Sequence, residues 1–288
     1  MRENTASELL LHPIATLGVA AASGIVLQDG SLYVIADDQN TLAVYTLDGQ
    51  GRGSIALGDD VLPEEPRARK AQKPDYESLV SLPDGSLLAL GSGSTPRRMG
   101  GAWVRFEAGK VRVECVALAE LYAALTRELP ELNIEGGCVH GERLYLACRG
   151  NGARPRNALI GLDLQQAQRG LERERALGAG LLRELAHVTL GELSGTPLSL
   201  TDLTLLGEQL VFSAAAEASP NTYDDGQCAG SVLGSLSLDG RVGAVHALAP
   251  RAKIEGICAT GARDRSLFAV ADADDPASRS PLFTVSLP

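Results

Sequence analysis

The sequence lacks the motifs that most directly assign a function. It has no G-x-S-x-G nucleophile elbow, no G-x-x-x-x-G-K-[ST] phosphate loop and no G-x-G-x-x-G dinucleotide fingerprint. Its five cysteines form no C-x-x-C pair, which argues against a zinc site, and its four histidines are scattered along the chain. These absences argue against the hydrolase, nucleotide-binding and zinc sites that are recognisable from a sequence motif.

Positive charge is also in short supply. The 288 residues include 26 Lys and Arg against 36 Asp and Glu, which gives a formal net charge of −10. An acidic protein repels phosphate backbones, so we expect no nucleic-acid partner. No signal peptide and no apolar stretch of membrane-spanning length is recognisable, so we expect a cytoplasmic protein with free thiols and no membrane contact.

Turn signals and internal repeats are abundant. The chain has 32 glycines, and Asp-Gly turns recur between short apolar runs, which favours many short strands. Five divergent repeat units can be aligned. Their openings read ASGI, YESL, IEGG, LTDL and IEGI, and their second strands read SLYVIADD, SLLALGSG, RLYLACRG, QLVFSAAA and SLFAVADA.

A third strand follows in every unit, and a fourth in all but the last. The N-terminal stretch LLLHPIATLG precedes the first opening and can supply the missing strand. β-Propellers close in this way. The sequence therefore predicts one all-β domain over residues 1–288, a five-bladed β-propeller with blade openings near residues 23, 77, 135, 201 and 255. Six blades are the alternative, with a hidden unit between Leu162 and Leu200.

Three connections between the strands are long. ALAELYAALTRELPELN has apolar residues at helical spacing and predicts a short helix, and QQAQRGLERERALGAGLLREL predicts another. PEEPRARKAQKP reads as a charged loop bounded by prolines.

The polar residue of each opening occupies an equivalent position in its repeat. Because the first strand of each blade lines the channel, these residues should face one another around the axis. They are Ser23, Glu77, Glu135, Thr201 and Glu255. Three converging carboxylates repel one another unless a cation or a proton is shared, and oxygen ligands suit calcium, or alternatively magnesium. We predict that these five residues bind such an ion; the alternative is that the glutamates pair with cations such as Lys73 and Lys253, or line a wet channel.

The order Ser–Glu–Glu–hydroxyl–Glu resembles that of the calcium-activated nucleotidases, the soluble apyrases. YESL, IEGG and IEGI look like that family's channel motifs, and the helix-like YAALTRELPELN and the loop ASPNTYDDGQCAG have counterparts there. The resemblance implies a five-bladed propeller with calcium in the channel that hydrolyses nucleoside di- and triphosphates. Similar short steps occur in paraoxonase-like, phytase-like and esterase-like propellers.

The loops between second and third strands should open on the same face as the ring. They contribute Asp37, Asp38, Arg97, Arg98, Arg149, Asn151, Glu217, Asp224, Asp225, Asp272, Asp274 and Asp275. Arginines beside a cation can hold a phosphate or carboxylate, and carboxylates there can act as a general base. The candidate catalytic residues are Arg97, Arg98, Arg149, Glu217 and Asp272. The alternative is that these loop residues only form turns.

Two classes of function follow. The first is a metal-dependent hydrolase of phosphate esters or anhydrides, with a small anionic molecule as substrate. The second is a non-catalytic propeller that binds a ligand or a protein and holds a structural ion. A lactonase-like or esterase-like hydrolase is a third alternative.

Overall fold

Five small antiparallel sheets account for most of the described chain. The computed structural model describes residues 8–150, 156–217, 228–261, 264–272, 275 and 277–288. In four of the sheets the four blade strands follow one another in chain order, and in the fifth the outermost strand comes from the N-terminal part of the chain. The first strands of the five sheets contact one another in a closed ring, so they form the wall of a central channel. The five-bladed propeller is confirmed, and the six-bladed alternative is not found.

Each blade has four strands, ordered from the channel outward. Blades 1 and 2 consist of Ala22–Gln28, Ser31–Ala36, Thr41–Tyr45 and Gly51–Ala56, and of Tyr76–Ser81, Leu87–Gly91, Gly100–Glu107 and Lys110–Ala117. Blades 3 and 4 consist of Ile134–His140, Arg143–Cys148, Asn157–Asp163 and Leu182–Val188, and of Thr196–Leu206, Gln209–Glu217, Cys228–Leu236 and Val242–Ala249. Blade 5 consists of Lys253–Ala259, Ser266–Asp272, Pro281–Ser286 and the N-terminal strand His12–Thr16.

The two ends of the described chain close the ring together, as the sequence predicts. His12–Thr16 pairs antiparallel with Pro281–Ser286 and so completes blade 5. The preceding strand Leu9–Leu10 pairs in parallel with the outer strand of blade 4, where Leu9 lies opposite Leu248. A two-residue strand, Glu192–Leu193, extends the inner hairpin of blade 4.

Three α-helices lie in the connections that the structure describes. They are α1 (Pro66–Gln72), α2 (Ala119–Leu125) and α3 (Leu164–Glu174), and two 3₁₀ turns lie at Pro96–Arg98 and Ala179–Leu181. The helices α2 and α3 are confirmed, whereas the prediction of a loop at α1 was wrong. Glu65 caps α1 by accepting hydrogen bonds from the amides of Arg67 (3.0 Å) and Ala68 (2.6 Å). No helix among the described residues is long and apolar enough to cross a membrane.

Apolar clusters fill the spaces between neighbouring blades. Leu88 and Leu90 pack toward blade 3 beside Ile160, whereas Leu87 and Ala89 of the same strand pack toward blade 1. This alternation follows the two-residue period of a β-strand. Because a neighbour covers both faces of the sheet, the middle strands are apolar throughout rather than amphipathic.

A β-bulge interrupts each inner strand at the same level. The pairing with the second strand shifts between Ala22 and Gly24, Tyr76 and Ser78, Ile134 and Gly136, Leu200 and Asp202, and Ile254 and Gly256. A bulge leaves one residue unpaired and redirects its side chain. The unpaired residue is in every blade the polar residue of the sequence repeat.

One residue further on, inner strands of neighbouring blades lie in close contact. We call this level the waist; it consists of Gly24, Ser78, Gly136, Asp202 and Gly256. A Cβ atom on Gly136 would lie 2.5 Å from the Cα of Asp202 and 2.7 Å from the amide nitrogen of Leu203. Glycine is therefore required at this position by packing between blades, not by its backbone angles.

Asp202 fills the waist and joins three blades. Its carboxylate accepts hydrogen bonds from the amides of Leu203 and Ile257, both at 2.7 Å, and from the amide of Gly137. These amides lie on the inner edges of blades 4, 5 and 3, which have no further strand to pair with. A single side chain thus replaces the missing strand at the centre of the propeller.

Substitution of Gly136 by alanine should test this packing. The added methyl group has no space beside Asp202, so we expect Gly136→Ala to lower the free energy of unfolding by about 1–3 kcal/mol. Gly180→Ala is the control, because a Cβ atom there meets nothing within 4 Å. Urea unfolding measures both, and equal stability of the two variants would contradict a tight waist.

Candidate functional site

The five predicted ligands lie at the five bulges, at the end of the channel where the inner strands begin. We call Ser23, Glu77, Glu135, Thr201 and Glu255 the bulge ring, and this end of the channel the mouth. All but Glu77 are buried. The structure shows that the members of the ring have different partners.

The two hydroxyl residues of the bulge ring connect neighbouring blades. Ser23 Oγ donates a hydrogen bond to the carbonyl oxygen of Tyr76, and Thr201 Oγ1 donates one to that of Ile254, both at 2.7 Å. Tyr76 and Ile254 each precede a glutamate of the ring in the next blade. The hydroxyl protons are therefore used in joining blades, a role that the sequence did not predict.

Glu135 and Glu255 are held by cations. Arg149 Nη1 lies 3.3 Å from Glu135 Oε2 and 3.7 Å from Glu255 Oε1, and its Nη2 pairs with Glu217. Lys253 Nζ lies 3.2 Å from Glu255 Oε1 and 3.5 Å from Glu217 Oε2. On the side of blades 3 to 5, the charge-paired alternative drawn from the sequence describes the contacts.

A second group of carboxylates lies at the mouth on the side of blades 1 and 2. Oxygen atoms of Asp37, Asp75 and Glu77 lie within 4.8 Å of one another. Lys73 forms ion pairs with Asp37 and with Asp75, the latter at 2.8 Å. Arg98 Nη1 also lies 2.8 Å from Asp75 Oδ2.

Negative charge exceeds positive charge in this network. It contains the carboxylates Asp37, Asp75, Glu77, Glu135, Glu217 and Glu255 and the cations Lys73, Arg98, Arg149 and Lys253. With all groups ionised, two negative charges are left over.

Two of these carboxylates have unused oxygen atoms. Glu77 makes no hydrogen bond or ion pair with any residue in the described part of the chain. Glu255 is 6% exposed, and its Oε2 is buried without a hydrogen-bond partner among the described residues. The mouth therefore has a capacity for a cation that its own side chains do not fill.

Burial shifts the titration of the mouth toward neutral pH. It raises the pKa of Glu135 to about 8, although Arg149 opposes the shift, and it raises the pKa of Asp37 to about 6. The pKa of Glu77 is raised by burial and then by the neighbouring Asp75, Glu135 and Asp37. These carboxyls hold a proton more readily than solvated ones, because burial disfavours their charged form and the neighbouring cations offset this only in part.

Asp75 is a residue of the site that the sequence analysis missed. It precedes Glu77 by two positions, as Asn133 precedes Glu135 and Lys253 precedes Glu255. Asn133 donates a hydrogen bond to Glu135, and Lys253 pairs with Glu255. The recurrence of a polar residue at this spacing was the available signal.

The remaining loop candidates differ in position. Arg97 is exposed and donates from Nε to the carbonyl oxygen of Gln72 at 3.4 Å, and Asp272 ends the second strand of blade 5. Asp38 lies 3.6 Å from Arg69. Asp275 accepts bonds from the amide of Ala277 and the hydroxyl of Ser278, as a turn former does. The candidates outside the described residues are Asn151, Asp224, Asp225 and Asp274.

The three arginines considered for an anion do not share one position. Arg98 and Arg149 are buried and engaged by carboxylates, and Arg97 lies outside them on the surface. The side chains of the mouth are consequently better suited to binding a cation than to binding an anion.

Comparisons with known proteins identify a family and support the fold. A family model described as "Family of unknown function (DUF6929)" matches residues 18–287. No curated protein matches the chain.

Two solved structures illustrate the fold similarity. Glutaminyl cyclase from Myxococcus xanthus is 15% identical with a TM-score of 0.56, and the alignment covers 97% of each chain. Regucalcin from Agrobacterium tumefaciens, a calcium-binding protein, is 10% identical with a TM-score of 0.51, and the alignment covers 98% of this chain and 97% of that one. At these identities the likeness shows the propeller fold alone, and the apyrase resemblance is supported only at that level.

Removal of the Arg149 guanidinium should lower the stability of the protein. Arg149→Met leaves Lys253 as the ion-pair partner of Glu217 and Glu255 at the mouth, and it leaves Glu135 with the side-chain amide of Asn133. We therefore expect a loss of about 3–5 kcal/mol in unfolding free energy. Arg143→Met is the control, because that guanidinium pairs with Glu184 at the surface and should contribute at most about 1 kcal/mol. Similar losses in urea unfolding of both variants would contradict the network.

Stability should fall as the pH rises through neutrality. Glu135 has a folded-state pKa of about 8 against roughly 4.3 in an unfolded chain. The folded state then binds the extra proton, and its stabilisation is present below the unfolded pKa and lost as pH rises to the folded one. We expect a lower urea midpoint at about pH 8.5 than at about pH 5.5 in metal-free buffer. Glu135→Gln should flatten this dependence, and a surface control, Glu184→Gln, should not.

Proposed function

The chain belongs to the DUF6929 family of unknown function, and we propose that its channel mouth binds a divalent metal ion, calcium or magnesium, for hydrolysis of a small phosphate ester or anhydride. The observation that carries the proposal is the group Asp37, Asp75 and Glu77, whose oxygen atoms lie within 4.8 Å of one another. Glu77 adds an oxygen donor that no described residue uses. The surplus of negative charge at the mouth favours a cation there.

The residues fit a hard cation on one side of the mouth. Calcium and magnesium take carboxylate oxygens, which Asp37, Asp75 and Glu77 supply. Glu135 and Glu255, which the sequence placed among the ligands, are in contact with Arg149 and Lys253 and would act as outer partners. In this proposal Glu77 is the member of the bulge ring that binds the ion directly.

Lys73 acts as an internal competitor for this position. Its ammonium lies between Asp37 and Asp75, two of the three proposed ligands. A divalent ion and an ammonium group repel each other strongly at such distances. Binding of the ion therefore requires Lys73, the residue that follows α1, to leave the carboxylates.

The proposed chemistry follows from the ion and the surrounding surface. A bound divalent ion polarises a phosphoryl oxygen and lowers the pKa of a bound water. Arg97, exposed beside the mouth loops, is the guanidinium placed to hold the anion. Asp272, half-buried at the end of its strand, is the candidate general base. The sequence resemblance to the soluble apyrases favours this substrate class.

A non-catalytic propeller with a structural ion is the second candidate. It is favoured by the engagement of Arg98 and Arg149 with carboxylates, which leaves Arg97 alone of the three arginines at the surface. In this case the ion stabilises the mouth, and the loops bind a ligand or a protein. A lactonase-like activity remains the third alternative, to be tested on the same panel.

Calorimetry on EDTA-treated protein tests the metal site. We expect one calcium or magnesium ion per chain, with at least tenfold weaker binding to Glu77→Gln, because its amide brings no negative charge. Glu184→Gln, a surface control, should bind as the wild type does. If the wild type binds neither calcium, magnesium nor manganese, the proposed function is wrong.

Removal of the Lys73 ammonium group should strengthen binding of the metal ion. We expect Lys73→Met to bind the ion at least tenfold more tightly than the wild type, whereas Lys110→Met, on the exposed outer strand of blade 2, should not change the affinity. Unchanged or weaker binding to Lys73→Met would show that the ion binds elsewhere. The same titrations measure all three proteins.

An activity screen separates the two candidate functions. Phosphate esters, nucleotides and lactones are incubated with metal-loaded protein and with Glu77→Gln. Turnover that requires the metal and is lost in the variant supports a hydrolase, and its substrate identifies the class. Tight metal binding without turnover on any of them supports the structural ion.

A further inference from the structure

Beyond the waist the channel continues as a cavity that is separate from the mouth. This cavity has a volume of about 210 Å³ and is lined by the inner strands of all five blades. Its wall is mixed: apolar side chains such as Leu79 and Ile257 lie near the waist, and polar atoms form about as much of the exposed wall. Towards the other end, Leu27, Val139 and Ala259 are half-buried rather than buried, so the cavity opens on the face opposite the mouth.

Asp202 forms the inner end of this cavity. It is 4% exposed, and its carboxylate accepts hydrogen bonds from the backbone amides of Leu203, Ile257 and Gly137. No Lys, Arg or His of the described chain forms an ion pair with it. At the mouth, by contrast, cations accompany most of the carboxylates.

The buried charge of Asp202 is only partly compensated. An ionised carboxylate removed from water is costly unless it is paired, and three amides supply partial charges rather than a full one. Burial accordingly raises the pKa of this carboxyl, against the effect of the amides. A carboxylate has about four acceptor sites; the three amides occupy three of them, so one is left for a further donor.

We propose that this cavity binds a small aliphatic ammonium ion, with Asp202 as its counter-ion. The hydrocarbon part contacts Leu79, Ile257 and the other apolar residues of the wall. The ammonium supplies the full positive charge that no described side chain provides. Carbonyl groups on the unpaired inner edges of the strands can accept its remaining protons.

Other classes of ligand fit less well. An anion would be repelled by Asp202 in its ionised form and would find no cationic side chain among the described residues that line the cavity. A divalent metal ion needs several oxygen ligands, and Asp202 is the single carboxylate among the described residues that line the cavity. A neutral apolar molecule would fill the volume and leave the carboxylate without a counter-ion.

Titration with n-butylammonium chloride, followed by calorimetry and by ligand-observed NMR in the presence of EDTA, tests the site. We expect saturable binding of one butylammonium per chain. Butan-1-ol, similar in size but neutral, should bind at least tenfold more weakly. Equal binding of the two, or no binding of butylammonium to the wild type, overturns the proposal.

Two variants locate the binding. Asp202→Asn should abolish discrimination between the ammonium and the alcohol. Because Asp202 also joins three blades, Ala259→Phe serves as a variant that leaves it intact and fills the outer part of the cavity. We expect Ala259→Phe to lose butylammonium binding and Ala117→Phe, on the exposed outer strand of blade 2, to retain it. Both should unfold at wild-type temperatures.

Glu77→Gln separates this cavity from the mouth. It should bind butylammonium as the wild type does, whatever its affinity for metal ions. If Glu77→Gln loses butylammonium while Ala259→Phe retains it, the ammonium binds at the mouth and the proposal is wrong. The outcome does not depend on whether the metal proposal holds.

Discussion

The structure depends above all on how buried carboxylates are compensated along one axis. Closing five sheets into a ring brings their inner edges together, and no further strand is available to pair with those edges. Polar side chains take up that position, and they are mostly acidic. Each carboxylate there needs a cation, a proton or backbone amides, because the surrounding blades are packed with apolar residues.

The molecule uses a different form of compensation at each level. Arg149 and Lys253 form ion pairs with the three glutamates on the side of blades 3 to 5 and leave one negative charge in excess. Backbone amides from three blades hold Asp202 at the waist. On the side of blades 1 and 2, Lys73 and Arg98 likewise leave one negative charge in excess, and Glu77 there has no ion-pair partner among the described residues. The excess negative charge at the mouth and the cation-free carboxylate at the waist favour two positions for external cations, one at the mouth and one beyond the waist.

The sequence was sufficient for the fold because the fold repeats. Five openings with a polar residue before a small one, each followed by a second apolar strand, fixed the blade count, and the surplus N-terminal strand indicated the closure that His12–Thr16 makes. The loop predicted at α1 was wrong, since Glu65 and Pro66 start a helix that the charged composition concealed. The secondary structure of that segment depends on local helix capping, whereas the blades follow from the sequence repeat.

The site was less predictable because partners come from different repeats. The repeat identified the bulge positions, but it could not show that Ser23 and Thr201 donate to the next blade or that Arg149 reaches both Glu135 and Glu255. Asp202 was passed over because it follows the repeat's polar residue, where the other blades have glycine or serine. That exception is informative: Gly136 has no room for a side chain because the backbone and the carboxylate of Asp202 already occupy the space. Where most repeats have glycine because neighbouring strands lie close together, a larger polar residue in one repeat thus indicates a side chain that contacts several blades.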